Sequence, residues 1–439
     1  MEKREFERRR KRLKGLLDDN AIAIVPTAPE RLRNRDVQYP YRADSDFYYL
    51  TGFDEPDAVA VIIPGRRQGE YVLFCRERDP EAEAWDGARA GLEGARERYG
   101  ADDAFPIDDL DDILPGLLEN RDLIYYTMGR YVDFDQRVVR WVNAVRTRGR
   151  AGVSAPDQFV ALSHVIHEMR LTKSRSELKV MRQAARISVE AHRNAMAICQ
   201  PGIREYELEA ELMRTFMTHG SRSTAYPSIV GSGVNACTLH YIRNDAVIGE
   251  KDLVLIDAGC EYDSYASDIT RTFPASGEFT PAQREVYELV LEAQEAAIAK
   301  VVPGNHWNDP HEAAVRVLNK GLHELGILKG TPAKTLKSGA YRKYYMHRTG
   351  HWLGMDVHDV GDYRVGEQWR LLEPGMVMTV EPGLYFPPGT RGLAKKWQGI
   401  GIRIEDDVAV TRDGCDVLTG ALPKHPDEIE AMVGAELVA

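Results

Sequence analysis

The chain lacks most of what would place it in an oxidising compartment, a membrane or a nucleoprotein complex. Its five cysteines, Cys75, Cys199, Cys237, Cys260 and Cys415, are scattered, odd in number and never spaced as CxxC. That excludes a disulfide framework or a thiolate metal site and fits a reducing cytoplasm. No apolar run approaches the length needed to cross a bilayer. The net charge of -11, from 57 basic and 68 acidic residues, argues against general nucleic-acid binding, and the acids are spread rather than run together. Gly231-Ser232-Gly233 lacks the third glycine of a dinucleotide fingerprint. The basic run Arg8 to Arg12 is preceded by Glu2, Glu5 and Glu7 and followed by no apolar segment, so it predicts a solvated helix rather than a targeting signal.

What is present points to a large soluble protein. At 439 residues, 43% of them hydrophobic, two or three domains with sizeable cores are expected. Strand-like runs at Ala21 to Val25, Ala58 to Ile63, Tyr71 to Phe74 and Leu123 to Tyr126 alternate with charged helical segments, the pattern of an α/β domain. Ala151 to Pro156 breaks that pattern. Ser174-Arg175-Ser176-Glu177 then has the form of a capping box opening a long amphipathic helix to about Cys199. The boundary falls near Leu171, giving domains of residues 1–171 and 172–439. The second domain interleaves helices at Glu205 to His219, Pro281 to Lys300 and Pro310 to Leu325 with strand pairs.

Those strand pairs carry acids. Leu253 to Ile256 runs into Asp257-Ala258-Gly259, and Tyr265 to Phe273 is rich in β-branched and aromatic residues, so a hairpin centred on Tyr262-Asp263 would set Asp257 opposite Asp268. Like charges facing each other beside an apolar strand need a cation or a shared proton. Met376 to Val380 runs into Glu381-Pro382-Gly383, and Gly401 to Glu405 follows across a polar loop. Alternation along that last strand puts Arg403 and Glu405 on one face, the arginine placed to orient a neighbouring carboxylate.

Three histidines, His347, His351 and His358, fall within twelve residues of a chain that has only 12. The spacing of His347 and His351 resembles a two-histidine zinc helix, but the following Glu is missing and Gly350 disfavours a helix. Asp257, Asp268, His351, Glu381 and Glu405 together supply four carboxylates and one imidazole, the charge that two divalent cations require. An oxygen-rich set without thiolate favours manganese over zinc, with zinc, cobalt or iron as competitors.

The segments LVLIDAG, SDITRTF, HRTGHWLGMDVHDVG, MTVEPGLYF and GIRIEDD resemble the pita-bread metallopeptidases, most closely the aminopeptidase P branch. Tyr41 to Pro56 resembles the creatinase-type N-terminal domain of the same group. The resemblance implies an α/β (α+β) architecture, with that domain followed by a pita-bread catalytic domain, and a cytoplasmic homo-oligomer. The implied activity is dinuclear hydrolysis of the bond between an N-terminal residue and proline. It also implies Asp257 on one metal, Asp268 and Glu405 bridging, and His351 with Glu381 on the other. Glu381 is implied as proton shuttle, His240 and His358 as groups steadying the tetrahedral intermediate, and Arg403 as support for the bridging carboxylates. His347 and Tyr385 would line the pocket, and Trp85 would narrow it or, alternatively, be a core or interface aromatic. A prolidase, organophosphate hydrolysis as a side activity and a non-catalytic binding module are the competing readings.

Overall fold

The chain divides into two compact units, Met1–Arg170 and Leu171–Ala439. The computed structural model describes residues 1–435. In the first unit, six strands form a mixed sheet in the order Asp103–Pro106, Tyr71–Cys75, Val59–Ile62, Ala21–Pro26, Leu123–Tyr125, Gln158–Val160. The inner strands are apolar and buried along almost their whole length, which is why they are visible as runs in the sequence. The edge strands Asp103–Pro106 and Gln158–Val160 carry no such run and are defined only by pairing with their inner neighbours.

Lys3–Lys14 is a helix, but its basic run is not fully solvated. Arg9 and Arg10 are buried and donate to the backbone carbonyls of Tyr49 and Leu50. Their guanidinium groups lie 4.1 and 4.2 Å from the ring centroids of Tyr49 and Tyr71. The last turn of the Ser45–Thr51 helix exposes carbonyls with no partner inside the helix, and a planar cation that stacks on a ring can be buried to satisfy them.

The second unit is built on two antiparallel hairpins. In the first, Leu253–Asp257 pairs with Thr270–Pro274 on one side and Ile229–Ser232 on the other. Its tip is Asp263-Ser264, at φ of 50° and 64°, the two left-handed residues that a type I′ turn requires. This corrects the expected register: Tyr262 pairs with Tyr265, so Asp257 faces Thr270 rather than Asp268. Asp268 falls in the irregular stretch just before the Thr270 strand.

The second hairpin pairs Val377–Val380 with Asp406–Val410 and Gly383–Phe386 with Ile400–Arg403. Regular pairing stops at Glu381-Pro382 and Ile404-Glu405, where proline has no N–H to give. Only the Ile404 amide crosses the gap, to the Pro382 carbonyl. The expected strand through Glu405 therefore ends at Arg403, and Glu381 and Glu405 enter the gap from opposite sides. The helices Arg175–Ile198, Glu205–Thr218, Pro281–Ile298 and Asp309–Glu324 pack with both hairpins in one apolar core. The Ser174–Glu177 capping box is formed as expected.

Candidate metal centre

The two hairpins bring their acids to one place. Donor atoms of Asp268, His351 and Glu405 all lie within 4.8 Å of one another. His351 Nε2 is 3.4 Å from Asp268 Oδ2 and 3.6 Å from Glu381 Oε1. The Tyr226 hydroxyl joins Asp257 to the group, 2.6 Å from Asp257 Oδ1 and 2.5 Å from Asp268 Oδ1. All five residues line a cavity of about 330 Å³ with Tyr226, His240 and His358. An adjoining cavity of about 580 Å³ shares Asp257, His240, His351, His358 and Glu381.

Backbone pairing delivers these side chains. The Thr379 amide donates to the His351 carbonyl and the Glu381 amide to the Thr349 carbonyl, so the histidine segment runs as an extra edge beside Val377–Val380. Gly350 is required there because a Cβ would come within 2.0 Å of the Thr379 carbonyl oxygen. Between hairpins, the Glu405 amide donates to the Thr270 carbonyl, and the Thr270 hydroxyl donates to Glu405 Oε2 at 2.5 Å.

Buried polar partners complete the frame. Arg403 donates to Asp257 Oδ2 at 2.5 Å, to Thr270 Oγ1 at 3.1 Å and to the Tyr385 hydroxyl at 3.0 Å. It thus touches Asp257 directly and reaches Glu405 through Thr270, while its charge also favours the ionised forms of Asp268 and Glu405. Asp268 has another support: its amide and the Ser267 hydroxyl donate to the Asp407 carboxylate. Arg271, fully buried, donates to Asp406 Oδ1 at 2.8 Å and to the Glu405 carbonyl at 2.6 Å. Tyr226, Thr270, Asp406 and Asp407 are not legible as site residues from spacing. Three consecutive acids after an apolar strand, Glu405 to Asp407, are the one signal that could have found the last two.

The electrostatics fit a cation. Burial, and then the charges of Asp268, Glu381 and Asp257, push the Glu405 carboxyl far above its usual range. Burial also raises Asp257, against the pull of Arg403, and lifts Glu381 to about 7. Asp268 moves the other way, because His351 and Tyr226 outweigh its burial. His351 is raised to about 9 by Asp268 and Glu381 despite burial. A tyrosine has one hydroxyl proton, so Tyr226 can donate to only one of its two carboxylate neighbours. Crowded oxygen donors with one imidazole and no thiolate suit hard or borderline divalent cations.

Of the remaining predicted residues, His358 packs edge-on against His351 with ring centroids 4.4 Å apart. His347 lines the larger cavity and places Nε2 2.9 Å from the Tyr385 hydroxyl. Tyr385 is buried and lines neither cavity, so it supports the wall rather than forming it. Trp85 lies on the Pro80–Asp86 helix of the first unit and is 89% exposed, which removes the core-aromatic alternative.

Residues 179–412 match the profile described as metallopeptidase family M24, and residues 6–125 match the aminopeptidase P N-terminal domain. The chain belongs to metallopeptidase family M24. This M24 metallopeptidase is 45% identical to the Xaa-Pro aminopeptidase of Escherichia coli (strain K12), over 99% of this chain and 98% of that protein. It is similar to the solved aminopeptidase PepP of Pseudomonas aeruginosa, with a TM-score of 0.98 and 60% identity over 98% of each chain. A zinc-substituted E. coli aminopeptidase P in complex with product gives a TM-score of 0.96 at 44% identity, again over 98% of each chain. The expected architecture, an N-terminal α/β domain followed by a pita-bread catalytic domain, holds.

Proposed function

We propose that this metallopeptidase releases the N-terminal residue of peptides whose second residue is proline. The observation that carries the reading is the convergence of Asp257, Asp268, His351, Glu381 and Glu405 in a cavity that His240 and His358 also line. Full-length similarity to proteins named Xaa-Pro aminopeptidase supports the specificity. Asp257 would hold one divalent cation, Asp268 and Glu405 would bridge a pair, and His351 with Glu381 would complete the second position. Manganese is favoured by the oxygen-rich set, with zinc, cobalt and iron as competitors. When bound, such cations polarise a carbonyl and acidify a water.

The chain's own residues do the rest. Glu381 carries a proton from the attacking water towards the leaving nitrogen, a task that needs a carboxylate within hydrogen-bond reach. His240 and His358, on the cavity wall, donate hydrogen bonds where negative charge develops on the former carbonyl oxygen. Arg403 and Tyr226 hold Asp257 in place. His347 contacts the substrate, its ring held by a hydrogen bond with the Tyr385 hydroxyl. The bond cleaved has a tertiary nitrogen, so the pocket needs no acceptor for an N–H there.

A cytoplasmic location is supported by five unpaired cysteines, and no described helix is long and apolar enough to cross a membrane. A homo-oligomer, dimer or tetramer, is supported by the exposed Leu32, Val37, Tyr39 and Trp85 on the first unit. Trp85 would serve the substrate pocket of a neighbouring subunit.

Product analysis by mass spectrometry tests the activity. Xaa-Pro-Yaa and longer peptides should be cut at the Xaa-Pro bond at least as well as Xaa-Pro dipeptides, while Xaa-Ala-Yaa and N-acetylated Xaa-Pro-Yaa resist. Hydrolysis confined to dipeptides would make the protein a prolidase instead.

A further inference from the structure

The larger cavity has a wall that the hydrolytic chemistry does not use. Trp307, Arg348 and Trp369 line it together with Asp257, His351 and Glu381. The buried Trp307 ring packs 5.6 Å from Trp369, 4.4 Å from Tyr363 and 6.1 Å from Trp352, which makes the wall a rigid aromatic block. The Arg348 guanidinium lies 4.9 Å from the Trp307 centroid and 5.0 Å from that of Trp369, and it donates to Asn308 Oδ1. Arg364 reaches the same indole, 4.1 Å from the Trp369 centroid.

Neither arginine has an acid. Arg403, in the same cavity, is paired with Asp257, whereas among the described residues no carboxylate lies within ion-pair distance of Arg348 or Arg364. Burial pushes the Arg348 pKa below its ordinary value, and the neighbouring Arg342 and Arg364 charges add to that against Tyr345 and Tyr341. An arginine fixed by ring stacking keeps its planar fork pre-organised for a carboxylate at little further entropic cost.

We propose that Arg348, held against Trp307 and Trp369, reads a carboxylate in the part of the peptide that follows the proline. The inference rests on the proline-peptide reading and adds a second recognition point to it. The cavity lined by Asp257, His351 and Glu381 is also lined by Arg348, so the part of the peptide beyond the scissile bond has the guanidinium within the same cavity. The carboxylate is either the peptide's own C-terminus or an acidic side chain, since both present the same two oxygens to the guanidinium fork.

The test compares kcat/KM for Xaa-Pro peptides of three to five residues as free acids and as C-terminal amides, using the metal-loaded protein. At one or more lengths the acid should be preferred by about tenfold or more, a size set by a charge-assisted pair. Arg348→Met, which keeps an unbranched apolar side chain beside the indoles, should bring that ratio to near one through KM, with kcat and the melting temperature little changed. Arg348→Lys, retaining charge without the fork, should keep part of the preference. If the amides regain activity when the residue after proline is Asp but not Asn, the side chain is the source; if they do not, the C-terminus is. An acid-to-amide ratio near one at every length, or one that Arg348→Met leaves unchanged, overturns the proposal. If the loaded protein cuts no proline peptide, the parent reading fails instead, and titration of the same acid and amide pairs, read by indole fluorescence, still decides the role of Arg348.

Discussion

Tyr226 sits between two carboxylates with a single proton to share, and its hydroxyl links Asp257 to Asp268. Tyr226→Phe removes the link between Asp257 and Asp268 while keeping the ring. Residues that orient metal ligands typically contribute about 10–100-fold in affinity or activity. We expect a loss of that size in Mn²⁺ affinity, measured by competition with a fluorescent chelator, with the fold intact by circular dichroism. Of the candidate ligands, Asp257, Glu381 and Glu405 are legible in the sequence because each follows an apolar strand, and His351 because it sits among glycines and histidines. Tyr226 is not, because a lone tyrosine before Pro227 in a loop carries no periodic signal and its role arises only from tertiary packing.

At the scale of elements, the centre is a junction of backbone edges. Which strands exist can be read from their β-branched runs, but their register cannot, and the two left-handed residues Asp263 and Ser264 shift the first hairpin by enough to change the partner of Asp257. The break at Glu381-Pro382 is likewise invisible to alternation, though the proline hints at it. Gly350 gives a direct test. Gly350→Ala would force the histidine segment away from Val377–Val380, since the new methyl group meets a backbone carbonyl that cannot rotate aside. Overpacking of this kind costs about 1–3 kcal/mol or more. Calorimetry should show a lowered Tm, and activity should fall further than the stability loss explains because His351 moves with the segment.

For the whole molecule, the two units should respond differently to acid. In the first unit, burial disfavours ionised Asp46, yet the hydrogen bond from His167 and the charges of Arg170 and Arg130 win and hold its carboxyl well below the usual range. Asp44 beside it is raised by burial against Arg130 and opposes the effect in part. A depressed folded pKa means stability that is present above the unfolded value of about 3.9 and lost as pH falls below it. Denaturant titrations from pH 7 to pH 3 should therefore show the wild type losing stability steeply below about pH 4. Asp46→Asn should be less stable at pH 7, by about 3–5 kcal/mol for a broken buried pair, and flatter with pH. A wild-type slope retained by Asp46→Asn would refute the assignment.

The stitching of the two hairpins through Thr270 and Glu405 also bears on how the protein matures. The donors lie on segments far apart in the chain, so no fragment ending before Glu405 holds the full set, and loop closure must precede capture of the ions. Cation uptake at this candidate site would then act as an inspection of the finished chain: only a molecule with both hairpins in place would gain the extra stability that ligand binding confers, about 4 kcal/mol at a thousandfold excess over Kd. Chelated protein should accordingly be digested faster by trypsin than loaded protein, with early cuts in the second unit and the first unit outlasting it.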